Sequence, residues 1–94
     1  PLGRPEMERV ADKHLRELED QLKEKGVSLV CTPAARAWLA EKGYDPAFGA
    51  RPMARLIERE LRRPLAEAIL FGPLAKGGKA TVDLKDGRLC LSFG

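Results

Sequence analysis

The sequence contains few of the residue types from which metal and nucleophilic sites are built. It has two cysteines, Cys31 and Cys90, a single histidine, His14, and no Cys-x-x-Cys pair. A structural zinc site needs four sulfur or nitrogen ligands, so we expect no metal centre. No cysteine or serine stands with a histidine at the spacing of a known catalytic motif, so we expect no catalytic residue. The two cysteines favour buried free thiols in a reducing compartment over a disulfide.

Long apolar runs and a strong net charge are also missing. The chain has 94 residues, of which 44% are hydrophobic and 33% charged, with a formal net charge of +3. No run approaches the roughly 20 apolar residues that span a bilayer, and no signal-peptide pattern opens the chain. We therefore expect a cytoplasmic protein without a membrane partner. The small positive charge permits an anionic partner but does not require nucleic acid.

The length predicts one small domain. Pro1-Leu2-Gly3 is typical of the remnant of a cleaved purification tag. We interpret residues 1–4 as tag or linker and residues 5–94 as the domain.

A complete phosphate-binding loop is missing as well. Lys76-Gly77-Gly78-Lys79-Ala80 resembles one, but Pro73 stands where the first glycine is needed and Ala80 where a magnesium-binding hydroxyl is needed. The segment also precedes a predicted strand instead of joining a strand to a helix. We therefore expect no complete nucleotide-hydrolysis site and no self-sufficient enzyme in these residues.

The first half of the chain has the apolar spacing of two helices around a strand. A helix is predicted over residues 5–25, with Pro5 in its first turn and Gly26 just past its end. Val27–Cys31 reads as a short strand, and Thr32 caps a second helix that runs to about Lys42. The apolar stripe of the first helix comprises Met7, Val10, Ala11, Leu15, Leu18 and Leu22. The only tryptophan, Trp38, is expected to pack against the first helix.

The second half predicts one long helix and a hairpin. The helix begins near Arg51 and carries an apolar face through Leu65 to Phe71, and Pro64 either kinks or restarts it. Two alternating strands then flank Asp86-Gly87, which favours a tight turn. We predict an α+β fold in the order helix, strand, helix, kinked helix, strand, strand, with a small three-stranded sheet packed against the helices.

One stretch combines a turn with a helix start: Gly43-Tyr44-Asp45-Pro46-Ala47-Phe48-Gly49-Ala50-Arg51-Pro52. The first N–H groups of a helix lack intrahelical partners and the dipole is positive there, so this end suits an anion. Arg51 adds a charged fork that matches phosphate oxygens. We interpret Arg51 as reaching a nucleotide held mostly by another piece of protein.

This stretch, with Pro64-Leu65-Ala66 after it, resembles the C-terminal small subdomain of the Clp/Hsp100 AAA+ unfoldases. The resemblance covers Met7–Phe93. Four segments look most like the ClpA branch, the unfoldase partner of the ClpP peptidase: Lys25–Leu29, Trp38–Asp45, Gly49–Arg55 and Leu70-Phe71-Gly72. The ClpB and ClpC branches share the Gly-Ala-Arg-Pro signature.

The resemblance implies roles for three residues. Arg51 would be the sensor-2 arginine, which reaches the terminal phosphate of ATP bound by the large subdomain of the same subunit. Ala50 would lie close to that nucleotide, and Arg55 is a candidate accessory residue. ATP is therefore shared with a large subdomain outside this chain, magnesium belongs to the parent protein alone, and no cofactor is implied for this domain by itself.

The resemblance also implies an assembly. The parent would be a hexameric protein unfoldase, an AAA+ ATPase that feeds a ClpP-type peptidase and acts on protein substrates. The small subdomain would pack on the large subdomains of its own and the neighbouring subunit and couple hydrolysis to subunit motion. We expect apolar area for these contacts on the helices.

Two other functions stay open at this point. The chain could be a pure protein-interaction or oligomerisation domain of a ClpB- or ClpC-type chaperone, in which Arg51 has only a structural role. It could also be a nucleic-acid-binding module that uses the arginines of the third helix, although the net charge of +3 and the 5% aromatic content weigh against this. The sequence leaves open the substrate and adaptor specificity, the oligomeric state of the isolated domain, and whether Arg55 assists Arg51.

Overall fold

The order of helices and strands agrees with the predicted α+β fold. The computed structural model describes residues 3–93, apart from the side chain of residue 4. The elements are α1 (Arg4–Lys23), β1 (Val27–Cys31), α2 (Pro33–Lys42), α3 (Pro52–Ile57), a π-helical segment (Glu58–Arg62), α4 (Arg63–Phe71), β2 (Gly78–Lys85) and β3 (Arg88–Phe93). None of the helices in residues 3–93 is long and apolar enough to cross a membrane.

The first helix buries the stripe that its spacing predicts. Met7, Ala11, Leu15, Leu18 and Leu22 are all buried, and Val10 packs against them from the edge. The helix begins one residue before the predicted start, with Gly3 as its N-cap. It ends two residues early because Lys25 and Gly26 donate their N–H groups to Leu22 and Lys23 in a closing turn. Of the predicted tag segment, Pro1 and Leu2 lie outside the described residues.

The sheet has the strand order β1-β2-β3, with β1 parallel to β2 and β2 antiparallel to β3. Leu29 of β1 lies beside Ala80 of β2, and Val82 lies beside Leu91 of β3. Burial alternates along β1 and β2, so one face of the sheet packs on the helices and the other is open to solvent. The predicted packing of a three-stranded sheet against helices is confirmed.

The two cysteines are free thiols, and both are half-buried. Cys31 pairs with Val82, whereas Cys90 pairs with Asp83, so β2 separates them and they face opposite sides of the sheet. Two strand spacings of about 4.8 Å each exceed the reach of a disulfide. The geometry therefore excludes a disulfide within this chain. Burial raises the pKa of the Cys31 thiol to about 11, against the opposing effect of the nearby Arg36 guanidinium.

The third helix continues through Pro64, so this proline neither breaks nor restarts it. α3, the π-helical segment and α4 follow one another without interruption from Pro52 to Phe71. A proline lacks an N–H group, and its ring clashes with the carbonyl group four residues earlier. The π turn widens the backbone before Pro64, where the N–H of Arg63 donates to the carbonyl of Glu58, five residues back.

The apolar face of this long helix is buried from Met53 to Ala68, but the prediction for its last residues is wrong. Leu70 is 68% exposed and Phe71 is 86% exposed. A helix turns by about 100° per residue, so a run of four apolar residues cannot lie on one face. Leu74, in the loop that follows, fills the core instead and is 1% exposed.

Candidate functional site

A tight turn carries the chain from α2 into α3. Asp45 and Gly49 exchange backbone hydrogen bonds of 2.8 Å and 2.6 Å. The Asp45 carboxylate also accepts from the N–H groups of Ala47 at 2.7 Å and Phe48 at 3.2 Å. An Asp-Pro pair favours such a turn because the aspartate side chain can satisfy backbone donors that follow it. The turn leaves the Phe48 side chain 60% exposed and delivers Arg51 to the start of α3.

Close packing of α2 against α3 depends on Gly43. This residue is buried, and a Cβ atom there would lie 2.7 Å from Met53 Sδ and 2.9 Å from the Leu39 carbonyl oxygen. A side chain at this position would therefore collide with a carbonyl of α2 itself and displace the end of the Met53 side chain of α3. The end of α2, with Lys42, is therefore held beside the face of α3.

A cavity of about 470 Å³ opens between these elements. It is lined by Lys42, Phe48, Arg51, Pro52, Arg55, Leu56 and Arg59. Four of these seven side chains are cations and none is an acid. We call this feature the cationic cavity.

Three of the cations come from one face of the long helix. Arg51, Arg55 and Arg59 recur every four residues, which places them in one column on a helical surface. All three are exposed, as is Lys42 across from them. Arg59 lies 3.5 Å from the Glu60 carboxylate in an exposed pair, whereas Arg51, Arg55 and Lys42 form no ion pair with the residues the structure describes.

The backbone at the start of α3 offers fewer free N–H groups to an anion than we predicted from the position of a helix start. The Arg51 N–H already donates to the Phe48 carbonyl at 3.4 Å, and the Met53 N–H donates to the Ala50 carbonyl at 3.1 Å. Pro52, between them, has no N–H. Anion binding here therefore depends on the side-chain cations more than on free backbone donors.

Two of the three residues assigned from the sequence line the cationic cavity. Arg51 and Arg55 lie together in its wall, but Ala50 is not part of the lining and packs half-buried against the core. Sequence reasoning missed Lys42, Phe48 and Arg59. The four-residue spacing from Arg55 to Arg59 could have identified Arg59, whereas Lys42 and Phe48 reach the cavity only through the packing of α2 and the turn.

The donor set of the cationic cavity suits phosphate and does not suit a metal ion. Guanidinium and ammonium groups donate to phosphate oxygens and cannot ligate a cation. No carboxylate or hydroxyl side chain lines the cavity, and residues 3–93 contain no cluster of three metal-ligating side chains. These residues therefore suit phosphate groups and do not suit a magnesium ion.

A second surface feature lies at the far end of α4. Leu70 and Phe71 project from it, and a shallow cavity of about 510 Å³ beside them is lined by Pro64, Glu67, Ala68, Phe71, Gly72, Pro73 and Phe93. We call Leu70, Phe71 and this lining the α4 patch. It supplies the exposed apolar area that the sequence leads us to expect on the helices.

Known proteins match almost the whole chain. The family model of the C-terminal, D2-small domain of ClpB protein matches residues 2–82. The chain is 47% identical over 91 residues to a ClpA homolog protein of Fuscovulum blasticum, which covers 97% of this chain and 12% of that protein. It is 41% identical over 92 residues to the chaperone protein ClpB of Mesorhizobium japonicum, covering 98% of this chain and 10% of the relative.

The chaperone protein ClpB of Corynebacterium efficiens is 37% identical over 87 residues, which is 93% of this chain and 10% of the relative. The chain thus spans only about a tenth of the length of these proteins. The matched residues include the Gly43–Pro52 stretch and the whole long helix. The chain belongs to the family of the C-terminal D2-small domain of the Clp/Hsp100 chaperones.

Proposed function

We propose that this domain is the lid of a ClpA-like AAA+ ATPase and that Arg51 contacts the terminal phosphate of ATP. The nucleotide would be held mainly by the large subdomain of the same subunit. The observation that carries the proposal is the position of Arg51: it is exposed, it has no acidic partner among the described residues, and it lines a cavity walled by three further cations. Because Arg51 has no acidic partner among the described residues, its guanidinium group is available to bind an anion from outside the domain.

The physical role of the contact is coupling. ATP bound in the parent protein supplies a terminal phosphate, and ADP does not. An interaction that Arg51 makes only with ATP favours one angle between the large and small subdomains. When hydrolysis removes this interaction, the preference for that angle is lost. A ligand shifts a conformational equilibrium only through such differential contacts.

The parent we propose is a hexameric unfoldase that feeds a ClpP-type peptidase. The 47% identity to a ClpA homolog protein, against 41% and 37% to two ClpB chaperones, favours the ClpA branch. In this proposal, hydrolysis and magnesium binding belong to other parts of that protein, and the cationic cavity, which is lined by neither a base nor a metal ligand, contributes phosphate contacts only.

The test is ATP turnover by the full-length parent ring carrying Arg51→Ala. Loss of one preorganised donor to a reacting phosphate should lower turnover by about tenfold or more. Arg63→Ala is the matched control, because Arg63 is exposed on the same long helix but does not line the cavity. Equal turnover in the Arg51→Ala ring, the Arg63→Ala ring and the unchanged ring would refute the assignment.

A second function, protein interaction, is favoured by the α4 patch. Phe71 is 86% exposed and Leu70 is 68% exposed. Neighbouring exposed apolar side chains of this kind are typical of protein-interaction sites. We propose that this patch packs on the large subdomain of the neighbouring subunit. Phe71→Ser should then weaken assembly of the parent ring in sedimentation velocity, while Val30→Ser, at a residue 42% exposed on β1, should not.

The two tests together separate the lid from a pure interaction domain of a ClpB or ClpC chaperone. Turnover that survives Arg51→Ala, together with assembly lost in Phe71→Ser, would favour the interaction domain. Turnover lost in an assembled Arg51→Ala ring would favour the lid.

A further inference from the structure

We propose that the cationic cavity is a polyphosphate site in its own right, in which Lys42 and Arg59 hold phosphates beside Arg51 and Arg55. The occupant would be the phosphate chain of a nucleoside triphosphate. The proposal rests on the proposed function for the identity of this ligand, but it assigns the binding to a set of four side chains within this chain. It therefore predicts binding without the large subdomain.

The distribution of charge supports the proposal. Four cations and no acid line the cavity, whereas the whole chain has a formal net charge of only +3. The other residues therefore sum to a formal charge of 3 − 4 = −1, so the positive excess of the chain lies at this concave surface. A cavity lined by one sign of charge focuses the field and attracts ions of the opposite sign.

The length of the cationic column argues for a chain of phosphates. At a rise of about 1.5 Å per residue, the Cα atoms of Arg51 and Arg59 are about 12 Å apart along the helix axis. One phosphate group at Arg51 would leave Arg55 and Arg59 without an anion. A triphosphate is shorter than this column, so it would lie between the arginines, and their long side chains would converge on its phosphates from both ends.

Lys42 and Arg59 can both be recruited at low cost. Lys42 extends from the end of α2 on the other side of the cavity and has no ion pair with a described residue. Arg59 lies 3.5 Å from the Glu60 carboxylate, but its side chain is 66% exposed in that pair. An ion pair of this kind contributes little to stability, so Arg59 can exchange it for a phosphate.

The probe is inorganic tripolyphosphate, titrated into this chain at low salt and followed by calorimetry and by the amide shifts of residues 42–59. We expect saturable binding, tighter than that of orthophosphate, with shifts centred on the cavity. The double variant Lys42→Gln/Arg59→Gln should weaken tripolyphosphate binding by roughly tenfold, since it removes two charge-assisted donors from a solvent-exposed site. Circular dichroism would verify that the variant remains folded.

The matched control is Arg9→Gln/Lys13→Gln, which removes the same charge from the exposed face of α1. The proposal is overturned if this control weakens binding as much as the cavity variant, because the effect would then follow net charge alone. It is also overturned if tripolyphosphate shows no saturable binding. Either failure leaves the lid function standing if Arg51→Ala still abolishes ATP turnover in the parent ring, so the two proposals can fail separately.

Discussion

Among the described residues, Thr32 is the one whose side chain joins the start of α2 to the sheet by hydrogen bonds. Its Oγ1 accepts a hydrogen bond from the Ala35 N–H at 3.2 Å and donates one to the Asp83 carboxylate at 3.0 Å. The first bond satisfies a donor that a helix start leaves unpaired, and the second ties α2 to β2. The orientation of α2 matters for the site because its last residue, Lys42, lines the cationic cavity.

We predict that Thr32→Ala lowers the free energy of unfolding by about 1 kcal/mol, the usual contribution of an N-cap side chain. Urea unfolding followed by circular dichroism measures it. Thr32→Ser keeps the hydroxyl and should retain most of the stability. An alanine variant as stable as the serine variant would contradict the capping role.

Cys31 should make the stability depend on pH in the alkaline range. Its pKa is raised from 9.0 to about 11 because burial disfavours the thiolate. Above pH 9 the unfolded chain loses this proton while the folded chain keeps it, so stability is lost as the pH rises from 9 to 11. The urea midpoint of the protein should therefore fall more steeply over this range than that of Cys31→Ala.

Other groups also titrate in that range, so the difference between the protein and Cys31→Ala is the quantity to measure. Parallel curves for the two proteins would contradict the raised pKa of Cys31.

The sequence points to residues of the cavity lining where the signal is local. Arg51 follows from a turn and a helix start, Arg55 is a candidate accessory residue from the family resemblance, and both line the cavity. Lys42 and Phe48 also line it, but no local pattern distinguishes them from other surface residues. Their position depends on the approach of α2 to α3 at Gly43, which is a tertiary contact.

At the scale of elements, the long helix shows what a proline can and cannot indicate. Pro64 predicts an irregular helix, because it removes one backbone donor and crowds one carbonyl group. A kink, a restart and a π turn all relieve that conflict. The structure uses a π turn over Glu58–Arg62, which lets α3 and α4 act as one continuous element carrying both the cationic column and the α4 patch.

The parallel pairing of β1 with β2 requires a close approach of two glycine backbones. The Gly78 N–H donates to the Gly26 carbonyl at 3.1 Å, and a Cβ atom on Gly77 would lie 2.7 Å from that same oxygen. Gly77 also has a φ of +88°. This junction starts the β1–β2 ladder, so a side chain there should disturb the sheet.

We predict that Gly77→Ala is more destabilising than Gly87→Ala by at least about 1 kcal/mol. Gly87, in the β2–β3 turn, has a φ of +75°, but a Cβ atom added to it would have no neighbour within 4 Å. Alanine at Gly87 would therefore share the backbone strain without the collision. Thermal unfolding of the two variants gives the comparison. Equal losses would show that the approach of Gly26 to Gly77 relaxes without cost.

For the molecule as a whole, the apolar patterns in the sequence predict the fold class. They do not predict which apolar side chains at the end of the long helix stay exposed. Alternation in the strands and the stripe of α1 determine which faces pack, and those faces are buried as predicted. Leu70 and Phe71 have the same apolar character but lie outside the core. Hydrophobicity alone cannot distinguish a leucine that is buried from one that stays exposed.

The domain thus presents two surfaces of different chemistry, the cationic cavity and the apolar α4 patch, which in the proposed function meet an anion and a protein, respectively. Both are carried by the helix from Pro52 to Phe71. In the proposed function, this continuous helix would link a ligand at one end to an interface at the other. In the function proposed for the parent, nucleotide state at Arg51 would reach the neighbouring subunit by this route.

The central claim is that Arg51 distinguishes ATP from ADP, and the most direct measurement is the affinity of the parent ring for each nucleotide. We predict that Arg51→Ala raises the Kd for ATP by roughly tenfold, the loss of one charge-assisted contact, and leaves the Kd for ADP unchanged. Arg63→Ala should change neither value. An equal rise in both Kd values, or no rise in either, would contradict the claim.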